Sequence, residues 1–184
     1  MSKPPEVSFS HIGLFVIDMD RMADFYTRVL GFFVTDRGML SGRRLTFLSR
    51  DPREHHQIVL STGRHQDLHV KVINQISFRM ASLSALQHFW RTLPNESVSD
   101  IDPIIHGNAW ALYFRDPEGN RIELFVDSEW YIAQPIRHPL DLSMPEADIR
   151  RITYEFCRDK PGFKPIERWY DEMRELMATH RAAG

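Results

Sequence analysis

Four polar residues stand in short apolar segments where they could act together: His11, Gln75, Tyr113 and Glu123. Each segment alternates apolar with other residues, which is the pattern of a β-strand with one buried face. Because alternate side chains of a strand share a face, the four polar residues lie opposite the apolar residues beside them. Imidazole nitrogen, amide oxygen and carboxylate oxygen can each bind a metal ion. The pattern predicts one polar surface built from several strands.

The strands that carry these residues belong to an internal repeat with a shift of 64 positions. The shift aligns His11 with Gln75, Ile12 with Ile76, Phe25 with Phe89, Tyr26 with Trp90, Ile58 with Ile122 and Leu60 with Leu124. Two modules, over residues 7–63 and 69–127, therefore follow each other, each with the order strand, helix and three strands. We predict an α+β fold in which paired βαβββ modules form a cup-shaped mixed sheet. The polar face lies opposite the helices and would line that cup.

Local signals mark the ends of the helices and one tight turn. Asp18 is the candidate N-cap of the first helix and Gly31 ends it, whereas Pro94 ends the helix of the second module. The Asp-Pro-Glu-Gly-Asn segment at 116–120 predicts a turn between the last two strands of that module. The repeat alone indicates no chemistry, because a duplication can simply stabilise a fold.

Residues 128–184 lie outside the repeat. A segment interrupted by prolines is followed by two helical segments, and Ser143 and Glu146 have the spacing of a capping box at the start of the first. The second carries its apolar and aromatic residues along one stripe: Ile166, Trp169, Tyr170, Met173 and Met177. We expect both helices to pack on the outside of the domain or on a second subunit, and a lid over the cup is the alternative.

Composition restricts the class of protein and its partners. The net charge of −2 gives no electrostatic reason to expect nucleic acid or an anionic membrane as a partner. The apolar runs are too short to cross a bilayer, and Cys157, the single cysteine, cannot form an intramolecular disulfide. No basic segment followed by an apolar one opens the chain. We therefore expect a soluble cytoplasmic protein whose partners are small molecules or other proteins.

Three features together resemble the vicinal oxygen chelate superfamily: the βαβββ duplication, "SHIGLFV" at 10–16 and "HGNAWALYFRDPEGNRIELF" at 106–125. This superfamily includes glyoxalase I, the bleomycin resistance proteins and the type I extradiol dioxygenases. The resemblance extends over roughly residues 8–127 and implies a cup of eight strands that holds a divalent metal ion. Its ligands come from the first, fifth and eighth strands, which correspond here to His11, Gln75 and Glu123.

The glyoxalase-type members have a fourth ligand, a Glu on the fourth strand, and this chain lacks it. The equivalent of Glu123 in the first module is Val59. The remaining three ligands resemble the extradiol dioxygenases, in which open positions on the metal accept substrate and oxygen. Those enzymes have His where this chain has Gln75. Three interpretations of Gln75 stay open: a ligand, part of a weak metal site that needs another group, or part of a metal-free pocket.

The resemblance also implies catalytic roles for His106 and Tyr113. His106 corresponds to the acid–base residue beside the metal, and Tyr113 to the donor of a hydrogen bond to a substrate oxygen. An imidazole titrates near neutral pH and can move the proton of a catechol. A loop histidine and a cup-lining tyrosine are the structural alternatives. We interpret His55 and His56, which resemble an edge-strand pair of the family, as entrance or surface residues.

The predicted function is that of an extradiol-type dioxygenase, which cleaves a catechol-like aromatic diol with O₂. We expect a homodimer that uses Fe(II), with Mn(II) or another divalent metal as the alternative. Two other functions remain open: a metal-free small-molecule binding protein of the bleomycin resistance type, and a metal-dependent isomerase or lyase of the glyoxalase type. Bound metal separates the binding protein from both enzymes, and oxygen uptake separates the enzymes from each other.

Overall fold

The computed structural model describes residues 8–65 and 73–183. The first module contains β1 (Ile12–Val16), α1 (Met19–Asp24), β2 (Phe33–Leu40), β3 (Arg43–Ser49) and β4 (Ile58–Thr62), and a π-helical turn over Phe25–Val29 continues α1. The second module contains β5 (Ile76–Arg79), α2 (Leu83–Thr92), β6 (Ser99–Ile105), β7 (Ala109–Arg115) and β8 (Arg121–Asp127). The predicted α+β fold with two βαβββ modules is confirmed.

Each module forms its own mixed sheet, and the two sheets have the same topology. The first has the strand order β1–β4–β3–β2 and the second contains β5–β8–β7–β6, with β1 parallel to β4 and β5 parallel to β8. The register repeats as well, because Ile12 pairs with Ile58 and Ile76 pairs with Ile122. Within the described ranges, β1 and β5 are not hydrogen-bonded to each other, so the cup consists of two separate sheets.

A single apolar core holds the two modules together. Its buried residues come from both sheets and from the helices that cover them. Aromatic pairs cross the module boundary: the ring centroids of Phe25 and Phe114 are 6.5 Å apart, and those of Phe32 and Phe78 are 5.6 Å apart. Edge-to-face aromatic contacts of this kind add to the free energy of burial. The helices therefore pack against the apolar faces of the sheets, and the opposite faces remain available for polar residues.

The turn between β7 and β8 contacts the start of α1. Glu118 Oε1 accepts hydrogen bonds from the backbone N–H groups of Ile17 and Asp18, each at 2.8 Å. The other carboxylate oxygen of Glu118 lies 3.3 Å from Arg64 Nη1. Asp18 is itself the N-cap of α1, as the sequence indicates. A side chain of the second module thus fixes the entry into the first helix.

Replacing Glu118 by alanine should lower the free energy of unfolding by about 1–3 kcal/mol, because two backbone N–H groups and Arg64 lose their acceptor. Urea unfolding of both proteins measures the difference. Glu155→Ala is the control, since Glu155 forms an exposed i,i+4 pair with Arg151 and should contribute about 0.5 kcal/mol or less. Equal losses in the two variants would contradict the bridging role of Glu118.

Residues beyond β8 are anchored to the second module. They form β9 (Trp130–Tyr131), β10 (His138–Pro139), α3 (Glu146–Cys157), β11 (Lys164–Pro165) and α4 (Ile166–Ala183). The strand β10 pairs with β6, and Trp110 Nε1 on β7 donates to Thr153 Oγ1 on α3 at 2.8 Å. Gln87 on α2 donates to the carbonyl oxygens of Leu142 and Met144 at 3.0 and 2.7 Å. No helix in the described part of the chain is both long and apolar enough to cross a membrane.

The predicted capping box at the start of α3 is wrong. The helix begins at Glu146 with Pro145 at the N-cap position and no side-chain cap. The hydroxyl of Ser143 donates instead to Asp141 Oδ1 at 2.6 Å, and the same oxygen accepts from the Ser143 backbone N–H at 2.8 Å. A local turn around Asp141 therefore engages the serine that the sequence pattern assigned to the helix.

Candidate functional site

Four polar side chains meet on the face of the second sheet that lies opposite its helix. The strand register places Glu123 on β8 opposite Tyr113 on β7 and opposite Ser77 on β5. The hydroxyls of Tyr113 and Ser77 both donate to the Glu123 carboxylate, one to each oxygen. Gln75 Nε2 donates to Glu123 Oε2 at 2.8 Å. The structure thus brings Gln75 and Glu123, two of the three predicted metal ligands, into direct contact.

The Glu123 carboxylate is buried, and protein donors satisfy both of its oxygens. Only 8% of the residue is exposed. A buried carboxylate without hydrogen bonds would be costly, and three donors offset that penalty. The described residues contain no buried side-chain nitrogen or oxygen that lacks a hydrogen-bond partner. Strand alternation places Ser77 on this face, but its role as a donor to Glu123 was not among the predictions.

His106 extends this group of hydrogen bonds to a pocket. Its Nε2 lies 2.9 Å from the Tyr113 hydroxyl oxygen and 4.0 Å from Glu123 Oε1. Its Nδ1 lies 2.6 Å from the Ile136 carbonyl oxygen, which can only accept, so Nδ1 carries a proton. A tyrosine hydroxyl both donates and accepts. A proton can therefore pass between His106 and Glu123 through Tyr113.

The environment of Tyr113 keeps its hydroxyl protonated. Burial raises the pKa of Tyr113 well above its usual value, and the hydrogen bond to the Glu123 carboxylate raises it further. Arg121 lies over the ring, with its guanidinium carbon 4.2 Å from the ring centroid, and acts in the opposite direction. Because the pKa is raised, Tyr113 remains a hydrogen-bond donor at neutral pH.

The segment 134–137, which lies outside the repeat, forms the outer wall of the pocket. Gln134 Nε2 donates to the His106 carbonyl oxygen at 2.7 Å, and Gln134 Oε1 accepts from the Ile136 N–H at 2.9 Å. These two bonds hold the Ile136 carbonyl against His106 Nδ1. The cavity has a volume of about 410 Å³ and is lined by Gln75, His106, Tyr113, Arg121, Gln134, Pro135, Ile136 and Arg137. Its size suits a small molecule.

His11, the third predicted ligand, makes its contacts within the first module. Its ring centroid lies 4.2 Å from that of His56, and its Nδ1 is 3.2 Å from Ser10 Oγ. The Nδ1 atoms of His55 and His56 are 2.9 Å apart, so three imidazoles form a cluster. Burial lowers the pKa of His56, and the charges of His11 and His55 lower it further. His55 is exposed and His56 is half-buried.

A second cavity of about 1070 Å³ lies between the edge of β1 and the edge of β5. Its walls include Ser10 and Ile12 from the first module and Gln75 and Ser77 from the second. Across the described residues, no three His, Cys, Asp or Glu side chains lie close enough together to hold a metal ion. The donor types of His11, Gln75 and Glu123 suit a divalent cation. In this structure the Gln75 amide contacts the Glu123 carboxylate, whereas the His11 imidazole contacts His56.

Known proteins with related sequences carry the same type of domain. The sequence profile described as the Glyoxalase/Bleomycin resistance protein/Dioxygenase superfamily matches residues 8–124. Over 124 residues the chain is 27% identical to biphenyl-2,3-diol 1,2-dioxygenase 2 from Rhodococcus globerulus. That alignment covers 65% of this chain and 63% of the relative, so the match spans less than two thirds of the relative's length.

Solved structures share the fold. A glyoxylase/bleomycin resistance protein/dioxygenase domain from Frankia sp. is 23% identical with a TM-score of 0.58, and the match covers 67% of this chain and 99% of that domain. A fosfomycin resistance protein from Listeria monocytogenes, solved with Mn(II) and sulfate, is 16% identical with a TM-score of 0.52 over 67% of this chain and 95% of its own. Because the profile match covers more than half of the sequence, the chain belongs to the glyoxalase/bleomycin resistance protein/dioxygenase superfamily.

Proposed function

We propose that the protein is a metal-dependent extradiol-type dioxygenase that cleaves a catechol-like aromatic ring with O₂. The observation that carries this proposal is the chain of contacts from His106 through Tyr113 to Glu123 at the wall of the smaller cavity. A vicinal diol needs a base for its proton and a donor for one of its oxygens. His106 and Tyr113 offer both beside one carboxylate. The similarity to two biphenyl-2,3-diol 1,2-dioxygenases supports this reaction class.

In this proposal His11, Gln75 and Glu123 hold the metal, with Fe(II) as the preferred ion and Mn(II) or another divalent metal as the alternative. When bound, such an ion supplies a Lewis acid with open positions for both reactants. The donor types fit a divalent ion chemically. Gln75 contacts Glu123 through Nε2, so its Oε1 is the atom that would bind the ion. Glutamine is a neutral oxygen donor, so we expect it to hold Fe(II) less tightly than an imidazole would.

The protein side chains have separate tasks in this mechanism. His106 lines the cavity, and in this proposal its Nε2 exchanges the contact with Tyr113 for a substrate hydroxyl and accepts its proton, while the bond from Nδ1 to the Ile136 carbonyl fixes the tautomer. Tyr113 donates its single hydroxyl proton to Glu123 in this structure, and in the proposed complex it would turn that proton to a substrate oxygen and so orient the ring. Pro135 and Ile136 contribute apolar surface to the cavity wall and exclude water from one side of the substrate.

Replacing Gln75 by histidine should tighten the binding of Fe(II) by roughly tenfold or more, because imidazole is the better ligand for this ion. Anaerobic titration of the untagged protein with Fe(II) measures the change. Asn74→His is the matched control, since Asn74 is the exposed neighbour of Gln75 and alternate residues of an extended chain point to opposite sides. If neither variant, or both equally, tightens binding, Gln75 does not face the metal.

A second function, that of a metal-free binding protein, is favoured by one observation. Both oxygens of Glu123 already accept hydrogen bonds from Tyr113, Ser77 and Gln75. The carboxylate therefore has its hydrogen-bond partners without a cation. Metal analysis after anaerobic purification from iron-supplemented cells, with oxygen uptake on catechols, separates the candidates. Near-stoichiometric iron with oxygen uptake supports the dioxygenase. Binding of diols by an iron-free protein without oxygen uptake supports the binding protein, and bound metal without oxygen uptake points to an isomerase or lyase.

A further inference from the structure

Within residues 8–65 and 73–183, the guanidinium group of Arg121, the first residue of β8, has no acidic partner. It contacts the ring of Tyr113, whose centroid lies 4.2 Å from the guanidinium carbon. Two other arginines beside the same surface are neutralised, because Arg115 pairs with Asp100 and Arg137 pairs with Asp102. Arg121 is half-buried. A half-buried cation of this kind is available to an anionic ligand.

Arg121 lines the same cavity as the proposed catalytic residues His106 and Tyr113. Residues 121 and 123 are two positions apart on β8, so their side chains lie on one face, about 7 Å apart along the strand. A planar ring whose diol lies at His106 and Tyr113 can therefore place another substituent at Arg121 in the same cavity.

The charge of the cavity wall favours an anion. Two arginines line the cavity, Arg121 and Arg137, and no carboxylate belongs to the described residues that line it. Glu123 lies behind this wall. Asp100 and Asp102 line an adjoining hollow with Arg121, but they pair with Arg115 and Arg137. Arg121 is therefore the lining cation that has no acidic partner within the described residues. A guanidinium presents two parallel N–H groups that match the two oxygens of a carboxylate. The Tyr113 ring beneath the guanidinium holds its plane in position.

We propose that Arg121 is a specificity-determining residue that binds an anionic substituent, a carboxylate, on the aromatic substrate. The assumption that the substrate is an aromatic diol comes from the proposed function, and in that respect the inference rests on the proposed function. The preference for an anion is a property of binding and can be measured without turnover.

The test compares two ligands of the same shape that differ in charge, 3,4-dihydroxybenzoate and 3,4-dihydroxybenzamide. Calorimetric titration under anaerobic conditions gives the dissociation constants. The wild-type protein should bind the benzoate at least about tenfold more tightly, as expected for charge-assisted hydrogen bonds. Arg121→Met should remove this difference and leave the affinity for the benzamide unchanged, and Arg121→Lys should keep part of it. Arg79→Met is the control, because Arg79 pairs with Asp127 on β8, and it should retain the preference.

Equal affinity of the wild-type protein for both ligands would overturn the proposal. This outcome does not depend on the variants, so it can be read even if a variant fails to fold. A preference that survives in Arg121→Met would overturn it as well. Measurement of oxygen uptake with the same two ligands tests the proposed dioxygenase activity separately from the binding preference. A binding preference without oxygen uptake supports the anion site and contradicts the dioxygenase, whereas uptake with the benzamide and not with the benzoate contradicts the anion site and supports the dioxygenase.

Discussion

Replacing His106 by alanine should lower kcat for ring cleavage by about 10²- to 10⁴-fold, the range that a positioned acid or base contributes. The substitution removes the group whose Nε2 lies 2.9 Å from the Tyr113 hydroxyl. It leaves Gln75, Ser77 and Tyr113 in contact with Glu123, so metal content should stay unchanged. Stopped-flow measurement of product formation, with metal analysis of the same sample, checks both expectations.

His88→Ala is the control for this experiment, because His88 is exposed on α2 and should not affect turnover. Tyr113→Phe provides a second variant. It removes only the hydroxyl between His106 and Glu123, and it should reduce kcat without the loss of a titratable imidazole. Loss of metal from His106→Ala, with turnover restored by added Fe(II), would show that His106 binds the ion and is not the acid–base residue.

Replacing Gly107 by alanine should destabilise the protein by about 2–5 kcal/mol. The backbone of Gly107 has a φ of +86°, a conformation that costs a non-glycine residue about 1–2 kcal/mol. A Cβ at this position would also lie 2.3 Å from Ile132 Cδ1 and 3.3 Å from Cys157 Sγ. Ile132 is fully buried, and overpacking of this kind costs about 1–3 kcal/mol.

Gly42→Ala is the matched control for Gly107, since its φ is +76° and a Cβ there would meet no atom within 4 Å. It should cost only the backbone contribution of about 1–2 kcal/mol. Thermal unfolding of both variants measures the difference, and the midpoint of Gly107→Ala should fall by on the order of 10 °C. Similar midpoints for the two variants would mean that Ile132 moves aside without cost.

The repeat made the fold predictable from the sequence. A shift of 64 residues fixes the order of elements in both modules, and the pairing of Ile12 with Ile58 and of Ile76 with Ile122 follows the same shift. Strand alternation placed Gln75, Tyr113 and Glu123 on one face, because a period of two leaves no other choice once the apolar residues are buried. The gap between β1 and β5 was not predictable, since the separation of two packed modules depends on many side-chain contacts at once.

Parts of the site depend on contacts that leave no pattern in the sequence. Gln134 lies outside the repeat, and its bonds to His106 and Ile136 arise from the path of the chain after β8. Arg121 follows a predicted turn, where an arginine usually faces solvent. Strand parity places Ser77 on the site face and could have marked it as a candidate. The capping box at Ser143 failed because a neighbouring aspartate competes for the same hydroxyl.

The wall made by residues 134–137 has a consequence for how selectivity can change. Residues His106, Tyr113 and Glu123, to which the proposed function assigns roles, belong to the duplicated region. The wall belongs to a stretch that the superfamily profile, which ends at residue 124, does not include. Mutation or exchange of the later stretch can therefore reshape the cavity while Tyr113 and Glu123 stay in place, as long as the carbonyl contact of residue 136 with His106 Nδ1 is kept. Chimeras joined after residue 127 would show whether substrate range is inherited with the carboxy-terminal fragment.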